Sequence, residues 1–322
     1  MPKTETDSTA TVVSKTTRET TSVSLWPHFG CARGVADRLA PPGGKLKWTT
    51  CNPQQERFVS LLDAGLREMA DKNFSPDELR YRVTDTAAEM NRWFKEEGFE
   101  IALSEAPPPA FYAGSVMKVS VRWWKPGTKT ELKAGKETFP AAYLKEGVQV
   151  WKHPSHQYPV VYVRTKSGDQ VYMTPHDAPP ADPFELTDLV MKLSSGVRPC
   201  GIYEGVVLPF VDYDEKIDVS WLVRMQTQDT LDRPWAIAEA VQQTKFKMNH
   251  RGARVESAAG WGMRCLAVPK PPFKIDRPFL LWMQRDGLSL PIFTGYFTED
   301  VWKDPGEIDL GPDDDQEEGD DE

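Results

Sequence analysis

Val241-Gln242-Gln243-Thr244-Lys245-Phe246-Lys247-Met248-Asn249 and Phe273-Lys274-Ile275-Asp276-Arg277-Pro278-Phe279-Leu280-Leu281 are strand-like runs that bracket a loop rich in Gly, Ala and Ser. A third run, Leu290-Pro291-Ile292-Phe293-Thr294-Gly295-Tyr296, closes the set. These runs and their spacing decide the fold. Gly252 opens the loop shortly after the first run, and Pro269, Pro271 and Pro272 keep its downstream part extended. A Gly/Ala/Ser loop holding one tryptophan, Trp261, is ordinary between strands, so the flanks carry the argument.

Upstream, the pattern is helices first and strands later, without a βαβ rhythm or an internal repeat, which indicates an α+β fold. From Gln54 to Lys72 the residues Phe58, Leu61, Leu62, Leu66 and Met69 recur at helical spacing. A second helix is predicted from Ser75 to Glu97, with Ser75 as N-cap, Pro76 in the first turn and Glu78 completing a capping box. Leu79, Val83, Ala87, Met90 and Phe94 form its apolar stripe, and Gly98 stops it. After Pro107-Pro108-Pro109, strands are predicted within Val116 to Trp124, at Val148 to Trp151, and at Tyr158 to Val163. The last is joined through Ser167-Gly168 to Gln170-Val171-Tyr172-Met173 as a hairpin. Short helices are predicted at Phe184 to Ser194 and around Ile217 to Met225, with a strand at Val206 to Phe210 between them.

The order of these features resembles the serpin family. Val206-Val207-Leu208-Pro209-Phe210-Val211-Asp212-Tyr213 is similar to the family's Leu-Pro-x-Phe strand, with the Phe one place early, and Ile217-Asp218-Val219-Ser220-Trp221-Leu222 resembles the helix that follows. Val241 to Asn249 resembles the strand leading into the family's reactive loop, and Gly252 stands at the hinge glycine. Phe273 to Leu281 resembles the Phe-x-x-x-x-Pro-Phe segment, and Leu290 to Tyr296 the closing Pro-Leu-Phe-x-Gly strand. Earlier, Met90-Asn91-Arg92-Trp93-Phe94 resembles the Ile-Asn-x-Trp-Val helix, with Gly98 and Ile101 in order, and Ser115 to Trp123 resembles the strand ending in Gly-Lys-Trp, with Val121 in place of the glycine. The family's N-terminal Ser-Pro-x-Ser helix is not visible, and the helical region before the second helix is shortened.

The resemblance implies an α+β fold with N-terminal helices packed on a central, mostly antiparallel sheet and an exposed reactive loop. It implies suicide inhibition of a serine or cysteine protease. The loop is bait, and once it is cut the upstream half inserts into the central sheet while the enzyme is still acylated. Such a protein is not itself an enzyme and takes no cofactor; a monomer is expected.

Insertion requires a period-2 strand with one face fit for a core. One frame presents Ala253, Val255, Ser257, Ala259 and Trp261; the other would bury Arg254 and Glu256. The first frame is therefore the inward one, and the family also turns the residue after the hinge glycine inward, here Ala253. Trp261 is large, and overpacking a formed core costs about 1–3 kcal/mol. The hinge departs from the family's acidic, Thr-containing pattern, reading His250, Arg251, Ala253 and Arg254. Counting from Gly252 places the scissile residue at Leu266, followed by Ala267; counting back from Phe279 gives Ala267. Leu266 suits a protease with an apolar pocket, and Arg264 suits a trypsin-like enzyme in another register.

The remaining composition narrows the field. With 39% hydrophobic and 11% aromatic residues, eleven of them tryptophan, the 322-residue chain has ample material for a core. A net charge of −9 argues against a nucleic-acid partner. No apolar stretch is long enough for a membrane span. The Ser/Thr-rich N-terminus lacks the apolar core of a secretory signal, so a cytoplasmic setting is expected. Residues 1–24 are expected to be disordered, 25–306 to form the serpin-like domain, and 307–322, with its run of Asp and Glu, to be a disordered acidic tail. Cys31, Cys51, Cys200 and Cys265 lie far apart, with neither zinc-site nor disulfide spacing. His153, His156 and His176 are read as surface histidines in turns rather than metal ligands, and no metal is expected. Cys265 and His250 both fall in or beside the loop with no third orienting group, and no GxSxG, Walker or GxGxxG element is present. Trp123-Trp124 reads as core and sheet edge.

Overall fold

The computed structural model describes residues 20–70, 73–251 and 270–310. In chain order β1 (Thr21–Val23) is followed by α1 (Trp26–Leu39) and α2 (Pro53–Ala70), then β2 (Leu79–Thr84), α3 (Ala87–Glu96) and β3 (Tyr112–Met117). A run of strands follows: β4 (Thr128–Ala134), β5 (Glu137–Leu144), β6 (Val148–Lys152), β7 (Val160–Arg164) and β8 (Gln170–Pro175). After α4 (Pro183–Leu193) come β9 (Arg198–Pro199), β10 (Val206–Pro209), β11 (Val211–Ile217), β12 (Gln226–Gln228), β13 (Pro234–Ala236) and β14 (Gln242–Met248). β15 (Phe273–Lys274), β16 (Phe279–Gln284) and β17 (Phe293–Phe297) complete the set.

The strands form a seven-stranded sheet in the order β1-β17-β16-β8-β7-β6-β9, a four-stranded sheet β15-β10-β5-β4, and the pairs β11-β14, β2-β3 and β12-β13. All pairings are antiparallel except β10 with β15. The core lies on the seven-stranded sheet, where Phe279 to Met283 and Phe293 to Phe297 are buried along their whole length. Trp282 stacks on Tyr172 at 5.2 Å. Such strands, covered on both faces, read as continuous apolar runs rather than alternating ones.

Among the described residues, three of the four α-helices are capped by side chains at their N-termini, whereas α1 starts without a side-chain cap. Asn52 Oδ1 accepts the Gln55 N–H at the start of α2, Thr86 Oγ1 accepts that of Glu89 in α3, and Asp182 Oδ1 accepts those of Phe184 and Glu185 in α4. Helix α1 packs against β2 and β3 through two glycines one turn apart. A Cβ on Gly30 would stand 2.2 Å from Ser115 Oγ, and one on Gly34 2.9 Å from Val83 Cγ2.

Three expectations are corrected. The helix read from Ser75 to Glu97 is a turn, a strand and a helix. The capping-box bonds between Ser75 and Glu78 do form, at 2.9 and 3.2 Å, but the chain then enters β2 along β3, and the helix begins only after the Thr86 cap. Leu79 and Val83 lie four apart, a spacing that suits one helix face and equally one strand face. The helix read around Ile217 to Met225 is a single 3-10 turn, Ser220–Leu222; Val223 is extended and Arg224 adopts φ +72°, which ends it. Thr21–Val23, expected in a disordered N-terminus, pair with β17, and Glu307 at the head of the expected acidic tail contacts Arg251 at 3.3 Å. Among the described residues no helix is long and apolar enough to cross a membrane.

Candidate functional site

β3 pairs on one edge with β2, and β14 on one edge with β11; among the described residues no ladder joins β3 to β14. Residues of both strands line one cavity of about 1150 Å³. An unpaired strand edge presents a row of N–H and C=O groups that accepts another strand. The result is an open slot between two strand pairs, bordered by the strand that runs directly into the Gly252 loop.

The slot has a floor, an outer strap and a stitched end. Alternation along β14 sets its two faces: Gln242 and Met248 are buried, while Lys245 and Lys247 point outward to Asp214 and Asp212 at 2.9 and 3.8 Å. On the inner face Phe246 stacks on Phe293 and Phe297 at 5.0 and 5.1 Å, which ties β14 to the seven-stranded sheet. α1 supplies the rest of the floor. His28 Nε2 donates to Gln242 Oε1 at 3.1 Å between the rings of Phe58 and Trp221. Desolvation lowers its pKa to about 4 against the Gln242 bond, so the imidazole is neutral. Desolvation raises the neighbouring Cys31 thiol to about 12, holding it protonated.

The segment from Phe99 to Ala106 crosses from α3 toward β14. Asn91 holds it through two bonds with the Leu103 backbone, at 2.8 and 2.9 Å. The Glu100 N–H donates to Gln243 Oε1 at 2.6 Å, and that of Ser104 to Glu239 Oε2 at 2.7 Å. At the loop end of β14, Trp123 Nε1 donates to the Asn249 carbonyl at 3.0 Å, and the Gly127 N–H to the His250 carbonyl at 2.8 Å. These bonds join the chain beyond β3 to the base of the loop.

The residues singled out in the sequence for the loop, namely Gly252, Ala253, Val255, Ser257, Ala259, Arg264, Leu266 and Ala267, lie outside the described residues. Of the histidines read as surface turn residues, His153 is buried at 9% exposure, whereas His156 and His176 are half-buried; His156 hydrogen-bonds with Thr174 Oγ1 at 2.9 Å and stacks on His176 at 5.8 Å. Burial lowers the pKa of both His156 and His176. Among the described residues no group of three His, Cys, Asp or Glu side chains is placed to hold a metal. Sequence reading missed His28, its partner Gln242 and the strap. The one signal for α1 was the Gly30/Gly34 spacing.

No protein-family model and no curated protein sequence matches the chain. Solved structures do. Serpin48 of the insect Tenebrio molitor, described as highly specific, is 14% identical over 88% of this chain and 92% of its own, with a TM-score of 0.53. SRPN18 of Anopheles gambiae is 14% identical over 90% and 94%, at 0.55. Thyroxine-binding globulin in complex with thyroxine is 13% identical over 87% and 93%, at 0.53. The chain has the serpin fold, an α+β arrangement with a large, mostly antiparallel sheet.

Proposed function

From the serpin fold and the open slot between β3 and β14, we propose that the protein is a suicide inhibitor of a serine or cysteine protease. The protease nucleophile attacks the Leu266 carbonyl carbon, the bond to the Ala267 nitrogen breaks, and that amine leaves with a proton. Leu266 is then held as an acyl-enzyme. The released strand, Gly252 to Leu266, enters the slot as a new neighbour of β14 and of β3. Ala253, Val255, Ser257 and Ala259 lie on the floor beside Gln242 and His28, and Arg254 and Glu256 face outward.

The observation that carries this reading is that β3 and β14, joined by no ladder among the described residues, line one cavity, and that β14 runs directly toward Gly252. Each backbone bond made to the new strand contributes about 0.5–1.5 kcal/mol net, so a strand matching the seven residues of β14 gains stability from two ladders. Fifteen residues from Gly252 to Leu266 reach about 50 Å when extended, about twice the ~24 Å length of β14. Insertion therefore has chain enough to carry the acylated end the length of the slot. The unpaired thiols of Cys31, Cys51 and Cys200 fit a reducing, cytoplasmic setting.

A second reading, a non-inhibitory binding or scaffold module on the same fold, is favoured by the basic hinge at His250 and Arg251. It also gains support from a structural neighbour that carries thyroxine. Incubation with chymotrypsin-like, subtilisin-like and trypsin-like proteases separates the two. Inhibition yields a protein–protease complex that survives denaturing electrophoresis; a scaffold yields only simple cleavage or none.

A further inference from the structure

After β17 the chain does not simply end. Trp302 is buried, packing edge-on against Phe139 at 5.1 Å and near Phe279 at 6.0 Å, and Pro305 is buried beyond it. From this anchor, residues 306–310 run to the base of the loop. Asn249, 3% exposed, donates through Nδ2 to the Gly306 carbonyl at 3.0 Å and accepts the Arg251 N–H on Oδ1 at 2.8 Å. One buried side chain thus ties the tail to the first residues of the loop. Arg251 also pairs with Glu307 at 3.3 Å, and Lys129 lies 4.0 Å from Asp304. Ile308 and Leu310, both half-buried, line the same cavity as β3 and β14.

We propose that the segment Gly306–Leu310 is an intramolecular latch, holding the loop base at Asn249–Arg251 and filling the slot's mouth with Ile308 and Leu310 until the loop is cut. The inference rests on the reading of the slot as a strand acceptor. The two hinge positions that depart from the family's acidic pattern and lie within the described residues, His250 and Arg251, fall where the tail binds. The Arg251–Glu307 pair is solvent-exposed and contributes little. The hold lies in the Asn249–Gly306 bond and the two apolar side chains.

The test uses the full chain, a chain ended at Pro305, which keeps the Trp302 anchor, and the double variant Ile308→Asp/Leu310→Asp. Two quantities are measured: hydrogen exchange at the Arg251 and Gly127 amides, and the rate at which a synthetic peptide of the Gly252–Ala259 sequence enters the slot. Loss of the latch is expected to raise both by roughly three- to tenfold, with exchange elsewhere unchanged. Unchanged peptide uptake in variants of a protein that does take up the peptide overturns the latch. So does a rise in exchange spread through the whole core, which would mark the tail as a general stabiliser. If no form takes up peptide, the slot reading fails, and unchanged Arg251 and Gly127 exchange then overturns the latch separately. Should the shortened chain not fold, the double variant decides alone.

Discussion

His28 of α1 and Gln242 of β14 are joined by a 3.1 Å hydrogen bond across the floor of the slot. It connects the helix packed on β3 to the strand that leads toward the loop. The group is neutral because desolvation, opposed by the Gln242 bond, lowers its pKa. It faces two aromatic rings and an amide, with no charged partner in those contacts.

That environment makes stability depend on pH. The folded pKa of about 4 lies below the ordinary 6.5, so the unfolded chain takes up a proton that the folded chain refuses. Stability from this site is fully present above pH 6.5 and is lost as pH falls toward 4, by roughly 3 kcal/mol in all. Denaturant melts at pH 7, 5.5 and 4 are expected to show this loss, and His28→Gln to flatten it. An equal slope in the variant contradicts the assignment.

Gly30 lets α1 approach β3, and a methyl group there meets Ser115. Gly30→Ala is expected to destabilise the protein by about 1–3 kcal/mol, as overpacking does. The check is the denaturation midpoint. Gly43→Ala, at a glycine with open space around it but with φ +71°, controls for backbone strain alone.

Arg285 bonds Asp169 at 2.7 and 2.9 Å and Glu78 at 2.7 and 3.1 Å, joining the turn before β2 to the seven-stranded sheet. Its pairing lifts the guanidinium pKa above its usual range, chiefly through the Asp169 bonds. Arg285→Met leaves Asp169, 2% exposed, as an uncompensated buried carboxylate, and a loss of about 3 kcal/mol or more is expected in urea unfolding. A change within 0.5 kcal/mol would show that the cluster is solvated.

If the freed strand inserts as proposed, its two faces are distinguishable. Val255→Glu would then place a charge on the slot floor and is expected to abolish any gain in melting temperature after loop cleavage, whereas Glu256→Ala is expected to leave the gain intact. The reverse outcome would assign the other frame.

Much of the fold was legible where local chemistry and tertiary pairing agree. The β7–β8 hairpin followed from Ser167-Gly168, with Gly168 at φ +85°, and α2 from its apolar stripe of Phe58, Leu61, Leu62, Leu66 and Met69. The region from Ser75 to Glu97 misled because its capping box is real and only the pairing of β2 with β3 overrides it. β4 went unread because Thr128 to Ala134 is polar apart from Leu132, its one buried residue, and the terminal Ala134. The slot itself was beyond local reading. It is made by Tyr112–Met117 and Gln242–Met248, far apart in sequence, and its floor by a histidine whose neighbours in the chain give no hint of a role.

The central claim is that the strand upstream of Leu266 enters the slot once freed. The most direct measurement is the melting temperature before and after a single cut in the 252–269 loop by a catalytic amount of a chymotrypsin-like protease, with both fragments retained. The account predicts a clear rise, because the freed strand would add ladders to β3 and β14, which no ladder joins among the described residues. A melting temperature that stays level or falls would contradict it.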